Sequence, residues 1–434
     1  MNVDLLIHSA TQLITCAAPD GPKRGAAMRD IGLIEDGAVA IAGERIVAVG
    51  QTAEVRARHT AARTMDATGK VVCPGFVDPH THVLFAGDRV QEFELRIRGA
   101  TYMDIMEAGG GIAATMAVTR AATLEELLAE TRPRLDAMFA LGTTIAEVKT
   151  GYGLELAAEL RMLEAIAELD RTHPIDLVPT FLGAHAVPPE FAGRTDDYVA
   201  FLIEEMLPAA ARWYRDSHFA ARGVPLFVDV FCERNAFDVR QSRQVLEAGV
   251  ALDMKPKAHV DEFTSLGGVT VALELGAVSV DHLDVTGDGD VARLAASDAI
   301  GVVIPAVNFN LGSTHFADAR GMIDAGAAVA LTTDINPGSA PCPSMPLVMA
   351  IACRYQHLLP AEVLNAATIN AAHATGMAGR VGSLEVGKQA DILIVDSPDY
   401  RHLAYQFGHN LVECVIKRGD DNECGMMNGV KREA

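Results

Sequence analysis

Between residues 71 and 380 short apolar runs alternate with helix-patterned stretches, and few architectures absorb that rhythm. Eight runs read as strands: "CPGFVDPHTH", "TTIAEVKTG", "IDLVPTFLGAH", "LFVDVFCE", "KPKAHVDEF", "AVSVDHL", "GVVIPAV" and "AAVALTTD". Between them, stretches such as "LELAAELRMLEAIAEL" and "DVRQSRQVLEAG" place apolar residues at three- and four-residue steps, the spacing of one helix face. A strand that returns through a helix pairs in parallel with the next. Eight such units in roughly 300 residues match an α/β, TIM-like (β/α)8 barrel, for which about 250 is typical. An open doubly wound sheet is disfavoured, because no Gly-x-Gly-x-x-Gly follows the first run.

The flanks have a different texture. "DLLIHSATQLITC" and "GAVAIAGERIVAVG" follow a period of two, the second turning back at Gly43-Glu44 as a hairpin. The same pattern returns in "GSLEVGKQADILIVD" and "LVECVIKRG". Each flank has too few strands to bury a sheet face alone. Residues 1–70 and 381–434 are therefore predicted to form one composite β-sandwich beside a barrel of residues 71–380. A net charge of −21 argues against nucleic-acid and anionic-membrane partners. The 7 cysteines are scattered without a Cys-x-x-Cys, which suits a reducing compartment and excludes a disulfide framework or a cysteine zinc knuckle. The opening "MNVDLLIHSATQLITC" has no basic segment of a signal peptide, and no run reaches the ~20 apolar residues of a membrane span. A cytoplasmic protein is expected.

Chemistry concentrates at the strand ends. The first run ends in His80 and His82, the third in His185, the fifth in His259, the sixth in His282 and the eighth in Asp334. A barrel opens all its strand C-termini onto one face, so residues hundreds of positions apart meet there. Alternation along an extended first strand would put His80 and His82 on the same side. One such residue is usually an ordinary polar strand end; five of the chain's 14 histidines at these ends is not. His80, His82, His259 and Asp334 make a suitable ligand set for one zinc or iron ion, leaving room for a water. Glu262, three residues after His259, can turn back into the pocket as a proton shuttle, although a lone loop acid is more often solvated.

"DPHTH", the His-x-x-Glu of the fifth run, "VDHL", "TTD" and "LEVGKQADILIVD" resemble the amidohydrolase superfamily of metal-dependent hydrolases. That resemblance implies a distorted (β/α)8 barrel with a composite β-sandwich, one divalent or trivalent metal ion per subunit and a homodimer. "FAGDRVQEFELRIRGATY", "AGGGI", "EVKTGYGLE", "TFLGAHAVPPE", "ELGAVSVDHL" and "DINPGSAPCPSMPLVMAIAC" are similar to the imidazolonepropionase family, ring-opening enzymes of histidine degradation. The implied reaction is hydrolysis of the cyclic C–N amide bond of 4-imidazolone-5-propanoate to N-formimidoyl-L-glutamate. The substrate is a small heterocycle bearing a carboxylate, and Arg89 is then its clamp. Tyr152 offers a ring face and a hydroxyl, and Asn336, Gly338 and Ser339 offer hydrogen bonds, although "NPGS" is also an ordinary turn. By the same analogy His185 lies over the scissile carbonyl and polarises it, His282 holds the water or Asp334, Glu262 protonates the leaving nitrogen and Asp334 takes the water's proton.

Three alternatives stand beside this. A deaminase of a heterocyclic base uses the same metal set but has no need of Arg89. A binuclear hydrolase needs a carboxylated lysine ending the fourth strand, which here ends "VFCE". A catalytically dead scaffold usually loses ligands. The loop after the seventh strand, "VVIPAVNFNLGSTHF", departs from the family's aromatic-rich pattern, and His315 within it is expected at the surface.

Overall fold

The structure, a computed structural model, describes residues 1–100, 110–421 and 424. Thr101 and Tyr102 of the "FAGDRVQEFELRIRGATY" stretch, and Ala108 and Gly109 of "AGGGI", lie outside the described residues.

The N-terminal strands are β1 (Asn2–Ile14), β2 (Leu33–Ala42), β3 (Arg45–Gln51), β4 (Thr60–Asp66) and β5 (Val71–Pro74). The barrel strands follow as β6 (Phe76–Asp78), β7 (Thr143–Lys149), β8 (Asp176–Ala184), β9 (Phe227–Cys232), β10 (Lys255–Val260), β11 (Ser279–His282), β12 (Ile300–Val303) and β13 (Ala328–Leu331). β14 (Ile392–Val395) and β15 (Val412–Ile416) close the chain's strand order. β6 to β13 pair in sequence order as one parallel eight-stranded sheet, as the alternating runs predict. Every residue of β7 and β8 is buried, which is why these strands read as unbroken rather than alternating runs. Helices Leu124–Ala140 and Val239–Val250 start at capping boxes, Thr123 with Glu126 and Asp238 with Gln241, where a side chain satisfies an otherwise orphaned amide.

Asp78 ties the first barrel strand to the last. Its carboxylate accepts Thr332 Oγ1 and Thr333 Oγ1, both at 2.5 Å, and the Thr333 amide at 3.2 Å. The first run, predicted as one strand, is two: β5 pairs with β1 and β14, and the chain enters the barrel only after Gly75.

The two flanks share one seven-stranded mixed sheet of order β15-β14-β5-β1-β2-β3, with β4 also on β1. One face of β5, β14 and β15 (Val71, Cys73, Leu393, Val395, Val415) joins the barrel core. The other (Val72, Ile392, Ile394, Ile416) packs with Leu5, Leu13, Val39 and Ile46 in a core of its own. Beside that core the Ile46 amide donates to Lys388 O at 3.0 Å, tying β3 to the segment that leads into β14. A disulfide joins Cys414 to Cys424, a local link that the scattered cysteines gave no reason to expect. Among the described residues no helix is long and apolar enough to cross a membrane.

Candidate active site

All the strand-end residues meet at the C-terminal mouth of the barrel, but not all by strand geometry. β6 stops at Asp78, so His80 and His82 lie in irregular chain beyond it. Backbone anchors place them there: the His82 amide donates to Ile335 O at 3.0 Å, and Thr81 Oγ1 to Glu147 O at 2.7 Å. His259 lies within β10, His282 ends β11, His185 directly follows β8, and Asp334 follows β13 by three residues. His282 (φ 83°), Asp334 (φ 49°) and Asp261 (φ 55°), just before Glu262, adopt left-handed backbone that non-glycine residues rarely visit. Such conformations cost about 1–3 kcal/mol each and cluster where a side chain is aimed for function.

His80, His82 and His259 present nitrogens, and His80, His282 and Asp334 nitrogens and an oxygen, within 4.8 Å of one another. His82 Nε2 is 3.3 Å from His259 Nε2. Asp334 Oδ1 is 3.5 Å from His80 Nε2 and 3.6 Å from His82 Nε2. Tetrahedral zinc with bonds of about 2.0–2.1 Å spaces its ligand atoms about 3.3–3.4 Å apart, close to these separations. His80 Nε2 and Asp334 Oδ1 are buried without a hydrogen-bond partner, which is costly unless a cation satisfies them. Burial pushes His80, His82 and His282 well below the ordinary histidine range, so their lone pairs are free for a metal. On the far edges His80 Nδ1 is hydrogen-bonded to Asp281 Oδ2 at 2.7 Å, and His259 Nδ1 lies 3.0 Å from Asp229 Oδ2. The donor set fits a metal ion.

One wall carries Tyr152. The buried Glu159 carboxylate accepts the amides of Gly151 (3.1 Å), Gly153 (2.8 Å) and Leu154 (2.8 Å), shaping the loop that presents it. Gly151 is needed there: its φ is +102°, and a β-carbon would lie 2.7 Å from Leu182 O and 3.1 Å from His185 Nδ1. Tyr152's ring is 5.3 Å from that of His185 and 5.8 Å from that of His82. Burial raises its hydroxyl, which stays a donor. Arg89 donates to Glu92 Oε2 through Nε (2.8 Å) and Nη2 (2.6 Å), while Nη1 faces Gly338 so closely that a β-carbon there would sit 2.2 Å from it. Arg96 donates to Gly338 O at 2.9 Å, putting a second guanidinium beside the first.

Asn336 and Ser339 are engaged with their own loop. Asn336 Nδ2 donates to Asp334 O at 2.8 Å and to Asp334 Oδ2 at 3.2 Å, and its Oδ1 accepts the amides of Gly338 and Ser339 at 2.8 and 2.7 Å. Glu262 lies 3.8 Å from His282 Nε2. Burial, with Asp334, Asp284 and Glu233 nearby, holds its carboxyl well above the usual range. Glu233, which ends the fourth run, accepts the amides of Phe263 and Thr264 at 2.9 Å and so steers that loop. His315 is exposed as expected, its Nε2 2.7 Å from Asp284 O. Sequence reasoning overlooked Asp229, Asp281, Glu159, Glu233 and Arg96: single acids and a base inside apolar runs or helices carry no local signal of the long-range contact they make.

Residues 242–420 match the amidohydrolase family, residues 63–120 a second amidohydrolase family, and residues 37–62 an imidazolonepropionase-like composite domain of bacteria. The chain is 63% identical over 416 residues to the imidazolonepropionase of Chloroflexus aggregans, covering 96% of this chain and 97% of that one. It is 48% identical over 420 residues to that of Geobacillus kaustophilus, covering 96% and 97%. Among solved structures it resembles a zinc-bound adenosine deaminase from Xanthomonas campestris (TM-score 0.70, 22% identity, 97% of this chain and 93% of that one). It also resembles E. coli guanine deaminase (TM-score 0.67, 15% identity, 96% and 98%). At such identities those two speak for the fold alone. The near-full-length identity to the curated relatives goes further, and the chain belongs to the imidazolonepropionase family of amidohydrolases.

Proposed function

We propose that the protein hydrolyses 4-imidazolone-5-propanoate to N-formimidoyl-L-glutamate, a ring opening in histidine degradation. One observation carries the reading: a buried three-histidine, one-aspartate cluster shares the barrel mouth with a guanidinium seated on Gly338. A hydrolytic centre beside an anion-binding group suits a heterocycle with a carboxylate tail. The relatives named imidazolonepropionase along 96% of the chain support the same substrate.

His80, His82, His259 and Asp334 hold one metal ion per subunit, a set that serves zinc or iron. When bound, the ion supplies Lewis acidity that brings the pKa of a water towards about 7. Arg89 binds the propionate, with Tyr152 against the ring and the Asn336–Gly338–Ser339 turn supporting that end. His185 Nδ1 donates to Gly151 O at 3.0 Å, and burial lowers the imidazole to about 3. It is therefore neutral, with Nε2 an acceptor that orients a water or a ring N–H; polarising the carbonyl would need the protonated ring. Asp334 takes the water's proton, His282 lines up Glu262, and Glu262, kept protonated by its surroundings, delivers its proton to the leaving nitrogen. A homodimer in the cytoplasm completes the reading.

Incubating purified protein with imidazolone propanoate should consume the ring's ultraviolet absorbance and yield formimidoylglutamate by mass spectrometry. Ammonia released from adenine, guanine or cytosine, without ring opening of the imidazolone, would instead establish a deaminase.

A further inference from the structure

Beneath the metal-binding face lies a fully buried ammonium. Lys149 Nζ is 2.7 Å from Glu147 Oε1, 2.7 Å from Asp229 Oδ2 and 3.9 Å from Asp281 Oδ2, and all four side chains have 0% exposure. Each carboxylate holds a different piece of the ligand set. Asp229 meets His259 Nδ1 at 3.0 Å, and Asp281 meets His80 Nδ1 at 2.7 Å. Glu147 Oε2 accepts the amide of Thr81, the residue between His80 and His82, at 3.2 Å. Ser279 Oγ fixes the other Asp281 oxygen at 2.6 Å. Glu147 and Lys149 are two apart on β7 and so point to the same, inner side of the barrel.

We infer that Lys149 is a positioning residue: through Asp229, Asp281 and Glu147 it couples three of the four metal ligands into one rigid unit. The inference rests on the reading that His80, His82 and His259 bind a metal. Buried carboxylates this close to two imidazoles would otherwise repel one another; Lys149 is the counter-charge in reach of all three, with the buried Lys257 ammonium adding to it at 3.9 Å from Glu147 Oε1 and 4.0 Å from Asp281 Oδ2. A carboxylate behind a metal-binding histidine fixes its tautomer and ring plane, and losing one typically costs 10- to 100-fold in metal affinity.

The test uses full-length protein loaded with zinc, and with cobalt as a spectroscopic probe. Dissociation constants come from competition with a chromophoric chelator, and melting temperatures are taken on the metal-free forms. Asp229→Asn and Asp281→Asn should each weaken zinc by 10- to 100-fold and shift the cobalt d–d bands. Lys149 meets both anchors, whereas Lys257 meets Asp281 and Glu147, so the double variant should lose less than the product of the single losses, and in a Lys149→Met background that coupling should shrink. Lys417→Met removes another buried ammonium, paired with Asp176 and Asp391 far from the site. It should lower the melting temperature and leave the cobalt spectrum unchanged, which separates positioning from mere stability. Wild-type zinc affinity in folded Asp229→Asn and Asp281→Asn, or losses that simply multiply, would overturn the inference. Wild-type protein that takes up no metal would overturn the site reading beneath it instead.

Discussion

Gly338→Ala is the sharpest probe of the anion site, because it displaces Arg89 without removing it. Gly338 lies outside the positive-φ region, so an alanine there costs no backbone strain. It costs space: the new methyl would fall 2.2 Å from Arg89 Nη1 and 2.5 Å from Cζ. Ordinary contact is about 3.5 Å, so the guanidinium must withdraw by about 1 Å or more. It cannot swing freely, because Glu92 holds Nε and Nη2 at 2.8 and 2.6 Å, and Glu92 is itself held by the Gly111 amide at 2.8 Å. Misplacing a binding group by about 1 Å costs on the order of 100-fold. Deleting the group by Arg89→Met should cost about 2–4 kcal/mol, or roughly 30- to 1000-fold in kcat/KM. Gly338→Ala should therefore lower kcat/KM for imidazolone propanoate by about 10- to 100-fold, mostly through KM, since the contact is made equally in ground and transition states. The assay is steady-state kinetics on the acid and on its neutral propanamide analogue. The analogue has already lost the contact and should be turned over alike by wild type and both variants. Unchanged kcat/KM for the acid in Gly338→Ala and in Arg89→Met would refute the clamp, and with it the chief chemical support for this substrate.

Other outcomes follow from the same geometry. His80→Ala or Asp334→Ala should strip the metal, measured by elemental analysis of purified protein, and full occupancy in both would show the ligand set to be wrong. Glu262→Gln should retain metal and KM while kcat falls by about 10²–10⁴-fold, whereas normal turnover would return Glu262 to a spectator role. Burial lifts Asp284 to about 7, so the folded protein holds a proton there that the unfolded chain releases near 4. Stability from this group is present at low pH and lost as pH rises from about 4 to 7. Asp284→Asn should flatten that part of the melting-temperature profile of metal-free protein. Asp78→Ala, which unties the first barrel strand from the last, should lower stability by about 3 kcal/mol or more in a denaturant titration while the secondary structure by circular dichroism persists.

The barrel was legible because each βα unit announces itself locally, through an unbroken apolar run and then a helical period. The clustering of His80, His82, His259, His282 and Asp334 was legible because a barrel converts position along a strand into position in space. What escaped is what depends on registration between strands. Lys149 could be seen, but nothing in "AEVKTG" tells that its ammonium meets Asp229 from "FVDVF", 80 residues on. Glu159 sits in an amphipathic helix where an acid ordinarily faces water, yet it is wholly buried under the tyrosine loop. Asn336 looked like a group for the substrate, and its hydrogen bonds go instead to Asp334 and its own turn. His80 and His82 converge as expected, but by loop anchoring, because Asp78 is the last paired residue of its strand.

The strand order of the composite sheet sets a timetable for biosynthesis. β5 leaves the ribosome early, yet its partner β14 begins at Ile392, about 320 residues later. At about 5–20 residues per second, the Val71–Pro74 edge waits roughly 15–60 s for its neighbour. During that interval a short, wholly apolar strand offers its unpaired amides and carbonyls to any nascent chain nearby. Truncation anywhere before β14 would make the exposure permanent, so premature termination products should be recovered in aggregates even when they contain every proposed metal ligand.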